Sequence, residues 1–197
     1  MVWTKLDEET CSSTVTVLTT SVFTPSKNIM AISHTFDTAS ANTLGGFRLG
    51  KTSIDPNNNY AYRSFQNFGS ENPQHTQNRI QAGIDGGDQL TVTYLYNIST
   101  EEKLSISNTV SRSGATAGYA PQSMECVGKW VNSNQADIYQ QYSGHIGGGT
   151  RHIGSDSNLS ILGSDGVESL NVQDGAVYYD TDLNKSYVLY NNAWTEL

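Results

Sequence analysis

Period-two alternation constrains this chain more than any other feature. In residues 89–98, QLTVTYLYNI, Leu90, Val92, Tyr94, Tyr96 and Ile98 alternate with Thr91, Thr93, Leu95 and Asn97. Successive side chains of a strand point to opposite faces, so this stretch predicts a half-buried strand with an apolar face. After the short link STEE, residues 103–110 (KLSISNTV) repeat the pattern, with Leu104, Ile106 and Val110 alternating against Lys103, Ser105 and Ser107. Two such runs joined by a polar link predict an antiparallel hairpin.

Further candidate strands are STVTVLTTSV (13–22), NIMAISHTF (28–36), GFRLG (46–50), YAYRSF (60–65), NRIQAG (78–83), MECVGKWV (124–131), ADIYQQY (136–142) and NLSILG (158–163). Pro25, DPNNN at 55–59, DGGD at 85–88, SGATAG at 113–118 and GHIGGG at 144–149 break the chain between strands. Ala, Leu, Glu and Lys never cluster over three turns, so no helix is expected. The pattern predicts an all-β fold, a two-layer antiparallel β-sandwich of jelly-roll-like type, with the strand order left open.

The grammar changes near GSDGVES (163–169). The expected domains are a sandwich over 1–166 and a small C-terminal β extension over 167–197. The extension reads as three short strands, AVYYD, SYVLY and AWTEL, close to the lower limit of an independently stable sheet. Its aromatics exceed what three such strands bury among themselves. Tyr179, Tyr187 and Trp194 are therefore expected to pack against the sandwich or a neighbouring subunit.

Nineteen acids against eleven bases give a formal charge of −8, and the bases are scattered singly. Nucleic-acid binding needs a basic stripe to displace counterions, so DNA and RNA are not expected partners, nor is an anionic membrane surface. No apolar run approaches the ~20 residues of a membrane helix. The N-terminal MVWTKLDEET has neither the basic nor the apolar region of a secretory signal, which predicts synthesis in the cytoplasm. Cys11 and Cys126 both lie in strand-like surroundings and read as small buried hydrophobes, with their pairing left open.

Motifs for chemistry are sparse. There is no G-x-S-x-G, H-E-x-x-H or phosphate-cradling glycine loop. His145 and His152 sit seven apart in a glycine-rich loop without the further ligands of a zinc site, and His34 reads as a strand-edge residue. DTDLN (180–184) opens like a calcium loop, but Lys185 stands where the loop's glycine belongs and Asn191 where its bidentate Glu belongs. Tight-turn chemistry is the expectation there. Asp85 and Asp88 are a remote candidate acid pair, so no catalytic residue, metal or cofactor is assigned. The sequons at Asn97, Asn158 and Asn184 are those a Ser/Thr/Asn-rich chain yields by chance. The richest candidate binding stretch is residues 57–74 (NNNYAYRSFQNFGSENPQ), where Asn57, Asn59, Tyr60 and Tyr62 offer amides beside aromatic rings, as a sugar site or a partner surface would.

Several segments carry a resemblance: WTKLDEET at Trp3, NNNYAYRSFQNFGSE at Asn57, YNISTEEKLSISNTV at Tyr96, APQSMECVGKWVNSNQ at Ala120 and SILGSD at Ser160. Together they resemble small virion structural proteins of tailed viruses. The closing DGAVYYDTDLNKSYVLYNNAWTEL is similar to Tyr/Trp hairpin units of phage tail, fibre and capsid-associated proteins. The resemblance implies an assembly role on the virion surface, with the major capsid protein or other virion proteins as partners and no catalytic residues to carry over. Capsid decoration, in a homo-oligomer such as a trimer, is the leading expectation. A glycan-binding module of a tail fibre, recognising host surface sugars, is the alternative.

Overall fold

The computed structural model describes residues 2–36, 45–67, 69–84, 87–112, 116–143, 152–165, 175, 177–180, 184–190 and 193–197. The chain divides into two compact units, Trp3–Asp165 and Met1–Val2 with Gly166–Leu197. Sixteen strands and no helix occur among the described residues, and every strand pairing is antiparallel.

The first unit is an antiparallel β-sandwich. Its first four strands are β1 (Thr4–Thr10), β2 (Val17–Thr19), β3 (Asn28–Thr35) and β4 (Gly45–Lys51), and they pass alternately from one sheet to the other. The chain then adds β5 (Ser53–Ile54), β6 (Tyr60–Gln66) and β7 (Asn72–Gln77) before β8 (Ile80–Gln81) and β9 (Gln89–Tyr96). It continues through β10 (Lys103–Ser111) and β11 (Gln122–Trp130) to β12 (Ile138–Ser143) and β13 (Asn158–Ser164).

Pairing gives the topology that the sequence left open. β1 pairs with β13, β2 with β12, β3 with β9 and β4 with β8, so the chain doubles back on itself as one long hairpin. The contacts of β13 with β3 and of β12 with β4 then join these pairs into two sheets. That is the wrapping of a jelly roll. The insertions β6, β7, β10 and β11 all extend one side, giving an eight-stranded sheet ordered β1-β13-β3-β9-β10-β11-β6-β7 opposite a smaller one built from β2, β12, β4, β5 and β8.

The core lies between the sheets. Phe47 stacks on Tyr139 with ring centroids 5.2 Å apart, and Tyr60 stacks on Trp130 at 6.4 Å. Ile29, Leu49, Ile80, Ile153, Leu159 and Ile161 fill the space around them, each with almost no exposed surface. Cys11 and Cys126 are buried in the same core as free thiols. Gly128 lets the layers close here, because a Cβ at this position would stand 2.8 Å from the buried Ile80 side chain.

The β9–β10 hairpin forms as expected, but its polarity is reversed. Thr91, Thr93, Ser105, Ser107 and Thr109 point inward, while Leu90, Tyr94, Tyr96, Leu104, Ile106 and Val110 are exposed. The physical reason is the irregular segment 82–84 packed inside the sandwich. Its backbone groups need partners, and Thr109 Oγ1 donates to Ala82 O while the Gln89 amide bonds both N–H and C=O of Ile84. Aliphatic side chains at those positions would have left these groups bare.

The second unit holds β14 (Val177–Asp180), β15 (Lys185–Tyr190) and β16 (Ala193–Glu196) as a three-stranded antiparallel sheet. Lys185 Nζ bonds Glu196 at 2.8 Å across it. The turn residues 181–183 expected from DTDLN lie outside the described residues, as does the expected domain boundary at residue 166.

Candidate docking face

The inverted hairpin places an apolar belt on the outside of the large sheet. Cross-strand register runs it through five neighbouring strands: Leu162 of β13 opposes Met30 of β3, which opposes Tyr94 of β9. Tyr94 in turn opposes Ile106 of β10, and Ile106 opposes Val127 of β11. Tyr96 and Leu104 pair directly beside this row, and Leu90 pairs with Val110 two rows away. Tyr94, Ile106 and Val127 are 47%, 56% and 47% exposed, high values for large apolar groups at the middle of a sheet. Trp3 adds an aromatic ring 6.4 Å from that of Tyr94.

One end of the belt opens into a groove of about 480 Å³ across β10, β11, β6 and β7, with Leu104, Ile106, Val127 and Ala61 among its lining and Arg63, Lys129 and His75 beside them. The cations are held by acids: Lys129 pairs with Glu102 at 2.8 Å and Arg63 pairs with Glu71. At the far side Lys5 pairs with Glu8 at 2.9 Å. Glu125 and Lys129 are the only charged residues at outward positions of β9, β10 and β11. The face is therefore apolar and close to neutral on a chain of charge −8.

The sequence-expected binding residues sit elsewhere. Tyr60 is 1% exposed, and its hydroxyl accepts from Leu49 N–H and bonds the carbonyls of Leu49 and Asp55. Tyr62 is buried with its hydroxyl on Gln81. Neither ring offers an exposed platform, because both belong to the core side of β6. Asn57 and Asn59 instead build a turn: Asp55 accepts from Asn57 N–H and Nδ2, from Asn59 Nδ2 at 2.8 Å and from the Trp130 indole N–H at 2.8 Å. Partial burial opposes the Asp55 charge, yet the hydrogen bonds from Asn59, Trp130 and Asn57 together hold its carboxyl below the ordinary value.

In the second unit, Tyr179 is exposed with its hydroxyl on Asn184 Oδ1, Tyr187 is half-buried, and Trp194 sits on β16 opposite Leu189. His34 is exposed against the Phe36 ring, His75 lies on β7 and His152 is half-buried, while His145 and Asp85 lie outside the described residues. Asp88 pairs with Arg112 at 3.4 Å. No three His, Cys, Asp or Glu side chains converge among the described residues. Asn97 of the first sequon is fully buried, its amide bonded to Ser26 O, Ala136 O and Ala136 N–H.

Alternation alone does not mark the belt as a site. A signal was present. Five inward positions of the hairpin, Thr91, Thr93, Ser105, Ser107 and Thr109, are small hydroxyls beside the buried Leu95, and two cross-strand pairs of them can close on one another, whereas a solvated face of this length usually carries charges.

Comparison with known protein families, curated proteins and solved structures returns no match to this chain.

Proposed function

We propose that this chain is an assembly protein, a jelly-roll building block that works by burying surface against other proteins and carries no reaction. The observation behind this reading is the apolar belt that runs from the half-buried Leu162 and Met30 to the exposed Tyr94, Ile106 and Val127. Contiguous exposed apolar patches of several hundred Å² mark interaction sites, and stable interfaces combine such a centre with a polar rim. The ion pairs of Arg63, Lys129 and Lys5 supply that rim.

The resemblance of WTKLDEET, APQSMECVGKWVNSNQ and the C-terminal hairpin to virion structural proteins extends the reading: the assembly is a virus particle and the chain decorates or cements its exterior. Quantitative mass spectrometry of purified particles is the test. A copy number comparable with the major shell protein supports decoration, and absence or a handful of copies rejects it.

A glycan-binding module is the second reading, favoured by one observation. The exposed rings of Tyr94 and Tyr96, with Trp3 beside Tyr94, form the aromatic surface that Tyr60 and Tyr62 do not. Binding on a glycan array that disappears in Tyr94→Ala and Tyr96→Ala supports it; an empty array rejects it.

A further inference from the structure

We infer that the partner seated on the belt is a second copy of this chain, joined face to face through the outer side of the large sheet about a twofold axis. This deepens the assembly reading and rests on it, but names the occupant. Three properties of the face select a copy.

Shape is the first. The outward side chains of β13, β3, β9, β10 and β11 lie on adjacent paired strands, so the belt is a sheet surface with rows in register. Sheets pack on sheets with strands nearly aligned and layers about 10 Å apart. A surface of that kind is complementary to itself, which is what an isologous contact requires.

Area is the second. Five strands at ~4.8 Å spacing, and the rise from residue 90 to residue 96 at ~3.4 Å per residue, give a belt of roughly 400 Å². A stable pair buries about 800 Å² on each partner. Eleven of the belt's twenty outward positions are apolar, with Asn108, Glu125 and Ser160 among the polar ones, so it supplies the apolar centre of such a contact. The groove beside it and the ion-paired rim at Lys5, Arg63 and Lys129 provide surface for the remainder.

Charge is the third. Two copies each carrying −8 repel, so self-association needs a face where that charge is missing. Among the twelve outward positions of β9, β10 and β11 only Glu125 and Lys129 are charged, and they are of opposite sign. The belt is therefore a surface that two acidic copies can bring together without facing like charges across it.

The experiment is sedimentation of the full chain over a range of concentration, with hydroxyl-radical footprinting of the same samples. The expected result is reversible association to twice the 21.5 kDa chain mass. Tyr94 and Tyr96 should become protected as it proceeds, while the exposed Tyr119 stays labelled. Ile106→Lys, at the centre of the belt, should weaken association by at least about thirtyfold, the effect of losing one central anchor. Val22→Lys, exposed outside the belt, should leave it unchanged. The footprint needs no variant, so a misfolded Ile106→Lys would not remove the test. The inference is overturned by a chain that stays single at its highest soluble concentration, by a threefold complex, or by association that leaves Tyr94 and Tyr96 labelled. A single chain in solution whose belt becomes protected only inside purified particles overturns the second copy while leaving the assembly reading standing.

Discussion

Thr93 and Ser107 face each other across the β9–β10 pair with their hydroxyl oxygens 2.8 Å apart, inside the sandwich, while the next pair, Tyr94 and Ile106, faces outward. One residue of register thus separates a closed hydroxyl pair from the most exposed apolar pair of the sheet. A second pair, Thr91 with Thr109, repeats the inner arrangement at 2.8 Å.

These hydroxyl pairs should be non-additive. Thr93→Val leaves the Ser107 hydroxyl buried without its partner at a cost of about 1–3 kcal/mol, whereas Ser107→Ala leaves Thr93 its contact with the Tyr139 hydroxyl and should cost less. The double variant should lose clearly less than the sum, a coupling of roughly 0.5 kcal/mol or more in a urea-denaturation cycle. Additive losses would mean that the hydroxyls do not depend on each other.

Asp55 should set the acid limit of the fold. Its folded pKa lies below the ordinary value, so its contribution is present above about pH 4 and is lost as pH falls through the folded pKa. Asp55→Ala leaves the Trp130 indole N–H without its acceptor and should cost about 1–3 kcal/mol at neutral pH. Urea titrations from pH 7 to pH 3 should show wild type losing its advantage over the variant.

Lys103 should tolerate no apolar replacement. Its side chain is buried, and Nζ donates to the carbonyls of Ile98 at 2.6 Å, Glu101, and Asn132 at 3.1 Å. It ties the β9–β10 link to the end of β11. Lys103→Met strands three carbonyls and should cost roughly 2–3 kcal/mol by urea denaturation.

Alkaline pH should unfold the protein through buried groups that resist ionisation. Burial pushes the Cys126 thiol up to about 12 and raises the Tyr60 and Tyr139 hydroxyls. A raised folded pKa contributes stability that is full below the unfolded value, near 9 for the thiol, and disappears as pH rises through the folded value. Thermal melts should therefore fall progressively above pH 9. At pH 8 native Cys126 should react with a thiol reagent only as fast as the chain unfolds.

Much of the fold was legible in the sequence. The runs at β3, β4, β6, β9, β10, β11, β12 and β13 announce themselves by alternation, and the C-terminal three-stranded sheet follows from its turns. β1 and β7 were not legible, because TKLDEET and NPQHTQ lack an apolar face. They are the two edges of the large sheet, where half the backbone groups face water and polar or charged side chains are favoured. The direction of the Tyr60 and Tyr62 rings was not legible for a related reason. Tyr60 and Tyr62 look like a binding platform beside Asn57 and Asn59, but period two fixes only that they share a face. It does not say which way that face points.

The sequence by itself determined the all-strand class and the β9–β10 hairpin, since alternation and turn residues act over a few neighbours. Tertiary structure alone decided the strand order of the jelly roll and the direction of each face. Those depend on which backbone groups must be satisfied inside. The carbonyl of Ala82 and both backbone groups of Ile84 claim Thr109 and Gln89, and with those residues facing inward the alternation turns Tyr94 and Ile106 out to the surface.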